Sequence, residues 1–236
     1  MSLLTVADAS AAVHKRADAH QQQAVVPSPA VYDFSVLPEF SGTVAQYIPD
    51  PFGGVSGLLL TNGTQILCSP DIASSITSLT RAGGTISGRG LQARQLPMIR
   101  AFTLTGPTGR TVEDDGLRLP LNQPDITPGP DIPVEGEVLY PLYNLHGAIT
   151  GVILKNHAII RIAPNEVGKL QDILTPGKII RAFGPGHSGS AGTAIIARQI
   201  GLTTGNLISL TPEALIPPGA APGSPDYDVI PGTNVY

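Results

Sequence analysis

The chain has 236 residues, of which 42% are hydrophobic and 14% charged, and its formal net charge is −4. This composition excludes a charge-rich disordered chain, and a mildly acidic whole has no general field that draws in nucleic acid, so such a role falls to a local basic face. With 27 glycines and 23 prolines the chain is punctuated every few residues, which favours short strands over long helices, and its length suits two small domains.

In chain order, residues 1–35 read as an N-terminal arm. Val6, Ala9, Val13 and Ala17 space one weak helix within residues 5–23, and Pro27 and Pro29 stop it. The arm has no apolar core behind a basic start, and no run of about 18 apolar residues occurs anywhere. The expectation is a cytoplasmic protein without a membrane span, with export by a leaderless route left open.

Residues 36–112 read as a first domain. GTVAQYI (42–48) is a strand ended by the turn from Pro49 to Gly54, VSGLLL (55–60) is a second and QILCS (65–69) a third. Between the last two, Asn62-Gly63 signals a two-residue hairpin turn with both central residues at positive φ. In IASSITSLTRA (72–82), Ile72, Ile76 and Leu79 recur at helical spacing, with Asp71 placed as N-cap and Gly83-Gly84 as the end. TISGRGL (85–91) and MIRAFTL (98–104) supply strands four and five, and residues 113–133 follow as a proline-spaced linker.

Residues 134–208 repeat that plan as a second domain. Residues 42–90 lie over residues 136–184 without a gap, at a constant spacing of 94. Gly42, Gly53, Gly57 and Asn62 fall on Gly136, Gly147, Gly151 and Asn156, while Pro70, Gly83 and Gly90 fall on Pro164, Gly177 and Gly184. Glycines that repeat imply turns or close approaches that repeat. The second copy runs GEVLYPL, AITGVIL and HAIIRIA, then a helix EVGKLQDIL (166–174), then KIIRAFG and AGTAIIARQI, with Asn156-His157 where the first copy has Asn62-Gly63. Residues 209–236 form a proline- and glycine-rich C-terminal arm.

Three strands, a short helix and two strands is the order of the five-stranded OB barrel. The expected fold is therefore all-β with short helices: two tandem five-stranded OB-like β-barrels with extended proline-rich termini, a pair of SH3-like barrels being the other arrangement. The pattern G-x-V…G-x-[IV]-x-G-[LV]-[LI]-L-x-[ND]-G-T-x-[IV]-x-x-x-P, followed by a short helix and a P-G or G-G turn, resembles a family of small, mostly uncharacterised bacterial proteins with tandem OB-like copies. The resemblance covers about residues 40–112 and 134–202. Strand three in that family usually ends in Pro-Pro-His; here Ser69-Pro70-Asp71 and Ala163-Pro164-Asn165 stand there, so no role of that histidine carries over.

Candidate chemistry is sparse. A single cysteine, Cys68, excludes an internal disulfide framework and a thiolate zinc cluster, and its apolar strand makes it a buried core residue. Of His14, His20, His146, His157 and His187 only His14 has a carboxylate at helical spacing, Asp18, and none has a second histidine there, so neither a metal nor a cofactor is expected. His187 sits in GPGHSGSAG, which lacks the lysine of a phosphate loop and does not match a nucleophile elbow, and it reads as part of a flexible loop between strands four and five. Glu113, Asp114 and Asp115 read as a solvated charge run rather than an acid-base pair. No catalytic constellation is present, and the expectation is a protein that is not an enzyme.

Arg81, Arg89, Arg94 and Arg100 concentrate on the second half of the first copy and are the candidate nucleic-acid contacts. The aromatic rings that stack bases in single-strand binders are few, and tryptophan is absent. The functional expectation is a non-enzymatic structural or scaffolding protein that self-assembles, as a ring or a filament, through its surfaces and terminal arms. The alternative is an OB-fold single-stranded nucleic-acid-binding protein.

Overall fold

The computed structural model describes residues 32–114, 129–203 and 205–211. The expected helix of residues 5–23, most of the linker and the arm after residue 211 lie outside them, as do His14, His20 and Asp115. Thirteen strands are present among the described residues. In the first repeat they are β1 (Glu39–Pro49), β2 (Val55–Leu60), β3 (Gln65–Leu67), β4 (Thr85–Gln92), β5 (Met98–Thr105) and β6 (Thr111–Glu113). In the second they are β7 (Asp131–Tyr143), β8 (Ile149–Leu154), β9 (Ile159–Arg161), β10 (Ile179–Gly189), β11 (Gly192–Ile196), β12 (Gln199–Leu202) and β13 (Ile208–Ser209).

The first sheet runs β3-β2-β1-β4-β5-β6, and a parallel pairing of β3 with β5 closes its first five strands into a barrel. The second runs β11-β9-β8-β7-β10-β12-β13 and closes through β9 with β11, also parallel, and β11 with β10. Short antiparallel meanders closed by one parallel pair are the OB topology, so the all-β, tandem OB-like architecture read from the repeat is the one the chain adopts.

The repeat is kept to the level of register. Val44 faces Leu60 and Val138 faces Leu154; one bulge later Gln46 faces Leu59 and Tyr140 faces Ile153. Asp50 and Asn144 organise the same turn, each accepting two backbone N–H groups, from Phe52 and Gly54 in one copy and from His146 and Ala148 in the other. Gly57 and Gly151 are required where β2 and β8 cross their neighbours, because a Cβ there would collide with the carbonyl oxygens of Ile66 and Ile160.

Several local expectations are corrected. The Asn62-Gly63 turn is not the two-residue type, since Asn62 does not take positive φ; Gly63 alone does, at 84°. The Gly63 N–H bonds to the Leu60 carbonyl and the Leu60 N–H to the Thr64 carbonyl, which makes a three-residue loop with a glycine bulge. His157 reproduces it at φ 71°, the one non-glycine residue in that region among the described residues. The helix expected over 72–82 is two single turns, α1 (Pro70–Ala73) and α2 (Ile76–Leu79), broken at Ser74-Ser75, residues with weak helix propensity. It starts before Asp71, at Pro70, with Ser69 as the N-cap residue. The second helix, α3 (Pro164–Val167), stops at Gly168 and continues to Leu174 only as successive turns. Strand five of the second copy is split into β11 and β12, while β6 adds a sixth strand to the first sheet and β13 a seventh to the second, pairing with Thr103–Thr105 and with Gln199–Ile200.

Buried apolar residues fall into three clusters. Leu58, Leu60, Ile66 and Ile86 fill the first barrel, and Val152, Leu154, Ile160 and Ile180 fill the second. Ile48, Leu59, Leu67, Met98, Leu142, Ile153, Ile159 and Ala194 form the third, which lies between the barrels. Ile48 and Leu142 are repeat equivalents, as are Leu59 and Ile153. The same face of each copy therefore packs on the other across a pseudo-two-fold axis, the isologous arrangement of a symmetric dimer within one chain.

Candidate functional site

The seam involves the surface on which OB modules usually hold ligands, the face of strands two and three with the loops that join strands one to two and four to five. Leu59 on β2 and Leu67 on β3 turn outward from their barrel, as do Ile153 on β8 and Ile159 on β9, and all four are buried against the opposite barrel. The loops interlock as well. The Gln46 side-chain amide donates to the His157 carbonyl at 3.2 Å, and at the symmetry-related place a Cβ on Gly63 would stand 3.1 Å from Tyr140. The ring of His187, in the β10–β11 hairpin, packs over Gly53 in the β1–β2 turn, while Leu96 of the first copy packs over Gly147 of the second.

Polar groups tie the seam at chosen points. The Gln65 amide reaches the Pro141 carbonyl at 2.7 Å, and the Arg161 guanidinium donates to the Ser56 hydroxyl at 2.7 Å. Arg161 is a buried cation that sequence reasoning passed over. Its signal was available: it interrupts the apolar run AIIRIA at a position where the first copy has Leu67.

Between the turn 49–54 and the hairpin 187–192 lies a cavity of about 350 Å³, bordered by Asp50, Thr77, His187 and Ser190. His187 is therefore not in a flexible loop. It pairs with Ala194 in a regular two-stranded extension, because the glycines of GPGHSGSAG allow β10 and β11 to run close together. Among the described residues no group of three or more His, Cys, Asp or Glu side chains is placed to hold a metal ion.

The acidic run also needs correction at one position. Asp114 is 6% exposed, its N–H bonded to the Phe102 carbonyl, because β6 carries it back over the barrel rather than into a linker. Cys68 is buried as expected, and burial first, the Asp114 charge second, pushes its thiol well above the usual range.

The four arginines do not line one groove. Arg81 follows α2 and Arg94 lies in the β4–β5 hairpin, both exposed and beyond opposite ends of β4, a strand whose eight residues extend about 26 Å. Arg89 and Arg100 come together around the segment Tyr32–Leu37. Arg89 donates to the carbonyls of Ser35 (2.7 Å) and Leu37 (2.9 Å) and pairs with Glu39, while Arg100 lies 4.8 Å over the Phe102 ring, which itself contacts Phe34. The segment is further shaped by Asp33, whose carboxyl is held below its ordinary range by hydrogen bonds from the Ser35 hydroxyl and N–H.

That strap and the outer face of the first sheet enclose a groove of about 660 Å³. Two cross-strand rows make its floor. One runs Glu39, Arg89, Thr103, Glu113 over four strands, and the next runs Ser41, Ser87, Thr105, Thr111. Tyr32 and Phe34 line it from the strap.

Fold and surfaces together define a protein of paired OB-like barrels whose two strand-two-and-three faces are mutually buried. No protein-family model and no curated protein sequence matches the chain. It is similar to a deletion mutant of the single-stranded DNA binding protein from Thermus aquaticus at 13% sequence identity and a TM-score of 0.21, over 77% of this chain and 96% of that one. No helix among the described residues is long and apolar enough to cross a membrane.

Proposed function

We propose that this is a non-enzymatic structural protein that self-assembles through its outer surfaces and terminal arms. The observation that carries the reading is the seam: the faces OB modules use for ligands are spent on holding the two barrels together. What remains outward is a two-barrel block in which β6 and β13 are edge strands among the described residues, and such edges accept further strands from another chain. Light scattering of the full-length chain across a concentration series tests this. A mass above that of the monomer, lowered by removing residues 1–35 or 212–236, is expected; a monomer at every concentration overturns it.

A second reading, single-stranded nucleic-acid binding, is favoured by Arg100 stacked over the Phe102 ring. It expects oligonucleotide affinity that falls with salt and is lost on changing Arg100 and Arg94 to alanine. Flat titrations at low salt remove it.

A further inference from the structure

We infer that the groove over β1, β4, β5 and β6 is a binding site for a neutral, extended polyhydroxyl chain, a β-linked oligosaccharide. It lies on the side of the barrel away from the seam, so occupancy leaves the two-barrel block intact.

Three observations carry this. First, Ser41, Ser87, Thr105 and Thr111 place one hydroxyl on each of four adjacent strands in a single row. Adjacent strands stand about 4.8 Å apart, close to the length of one pyranose unit in an extended β-linked glycan, so a chain crossing the strands meets a fresh hydroxyl at each sugar. The Thr105 and Thr111 hydroxyls are 2.8 Å apart and bonded to one another, which fixes both and leaves lone pairs and one proton for a ligand.

Second, the charge is wrong for an anion. Among the described residues that line the groove, Asp33, Glu39 and Glu113 stand against one cation, Arg89, whose guanidinium is already engaged by Glu39 and the carbonyls of Ser35 and Leu37. Carboxylates accept hydrogen bonds from sugar hydroxyls and repel phosphates and uronic acids.

Third, Tyr32 is half exposed along the strap beside Phe34, 6.2 Å between ring centroids, and offers an apolar face with a polar tip to the C–H side of a sugar ring. The volume of about 660 Å³ is that of a site for a ligand of a few rings.

The test is calorimetric titration of the full-length protein with cellohexaose, xylohexaose and chitohexaose, and with hexagalacturonate and a thymidine oligonucleotide as anionic counterparts. At least one neutral hexamer is expected to bind and the anions are not. Ser87→Val with Thr105→Val, which keeps strand-compatible shapes, is expected to weaken the neutral ligand about tenfold with an unchanged melting curve, and Tyr32→Ala to weaken it as well. Absence of binding by all three neutral hexamers at millimolar concentration, binding indifferent to the double valine variant, or preference for an anionic chain each overturns the inference.

Discussion

Gln65 on β3 donates its side-chain amide to the Pro141 carbonyl at 2.7 Å and accepts the Tyr143 N–H at 3.1 Å, closing the seam with two bonds from one fully buried side chain. The equivalent residue of the second repeat is Ile159, also buried but apolar, so the bond pair exists on one side of the pseudo-axis only. This gives the seam a direction: a copy of the first repeat facing itself would oppose two glutamines, and a copy of the second would oppose none.

Replacing that glutamine by leucine takes a partner from the half-buried Pro141 carbonyl and from the half-buried Tyr143 N–H. A loss of about 1–3 kcal/mol in urea unfolding of Gln65→Leu is expected, above the cost of Gln46→Leu, whose amide makes only longer bonds, to the Tyr47 carbonyl at 3.3 Å and the His157 carbonyl at 3.2 Å. Equal effects of the two changes would count against the seam as described.

The apolar part of the seam is tested by truncation. Leu59→Ala and Ile153→Ala each remove a side chain that touches the opposite barrel, and each is expected to cost about 2–5 kcal/mol. Made together they are expected to be non-additive, since the two residues share one cluster. The measurement is a double-mutant cycle by denaturation.

Gly151→Ala is expected not to yield folded protein in good amount, since the new methyl would enter the Ile160 carbonyl while φ stays at 153°. Gly83→Ala and Gly177→Ala sit in open space and pay only for positive φ, a cost of about 1–2 kcal/mol. Circular dichroism melts of the three variants separate collision from backbone strain.

Cys68 makes stability fall at alkaline pH. Its folded pKa is raised, by burial and then by Asp114, above the roughly 8.5 of an exposed thiol. The unfolded chain therefore loses a proton that the folded chain keeps, so the stabilisation is complete below about pH 8.5 and declines as pH rises above it. Tyr143, raised by burial, adds the same sign above about pH 10. Unfolding free energies from pH 7 to 10 should lose most of this slope in Cys68→Ala, and the native thiol should resist disulfide reagents at pH 8.

The barrels were legible because glycine and asparagine mark backbone geometry that no other residue takes cheaply, and the repeat doubled every such mark. Gly57 and Gly151 are the clearest case. The seam was encoded too, in LLL at 58–60 and VIL at 152–154, where consecutive apolar residues mean that both faces of a strand are covered. Periodicity cannot say what covers the second face, so Leu59 and Ile153 read as extra core. Arg161 and Gln65 were invisible as seam residues for the same reason, since their partners are 105 and 76 positions away. The groove escaped notice because Ser41, Ser87, Thr105 and Thr111 are unremarkable one at a time and become a row only through strand register.

Each barrel closes through contacts within its own repeat, β3 with β5 and β9 with β11, whereas the seam joins residues about a whole repeat apart. A chain emerging from the ribosome therefore finishes its first barrel while the half that shields Ile48, Leu59 and Met98 is still being made, an interval on the order of 5–20 seconds. During it the bare side can meet a finished or half-finished neighbour instead of its own partner. Crossed pairs of chains, each lending one barrel to the other, are the expected by-product of crowded synthesis or concentrated refolding, and they would persist as dimers that dilution separates only as fast as the barrels come apart.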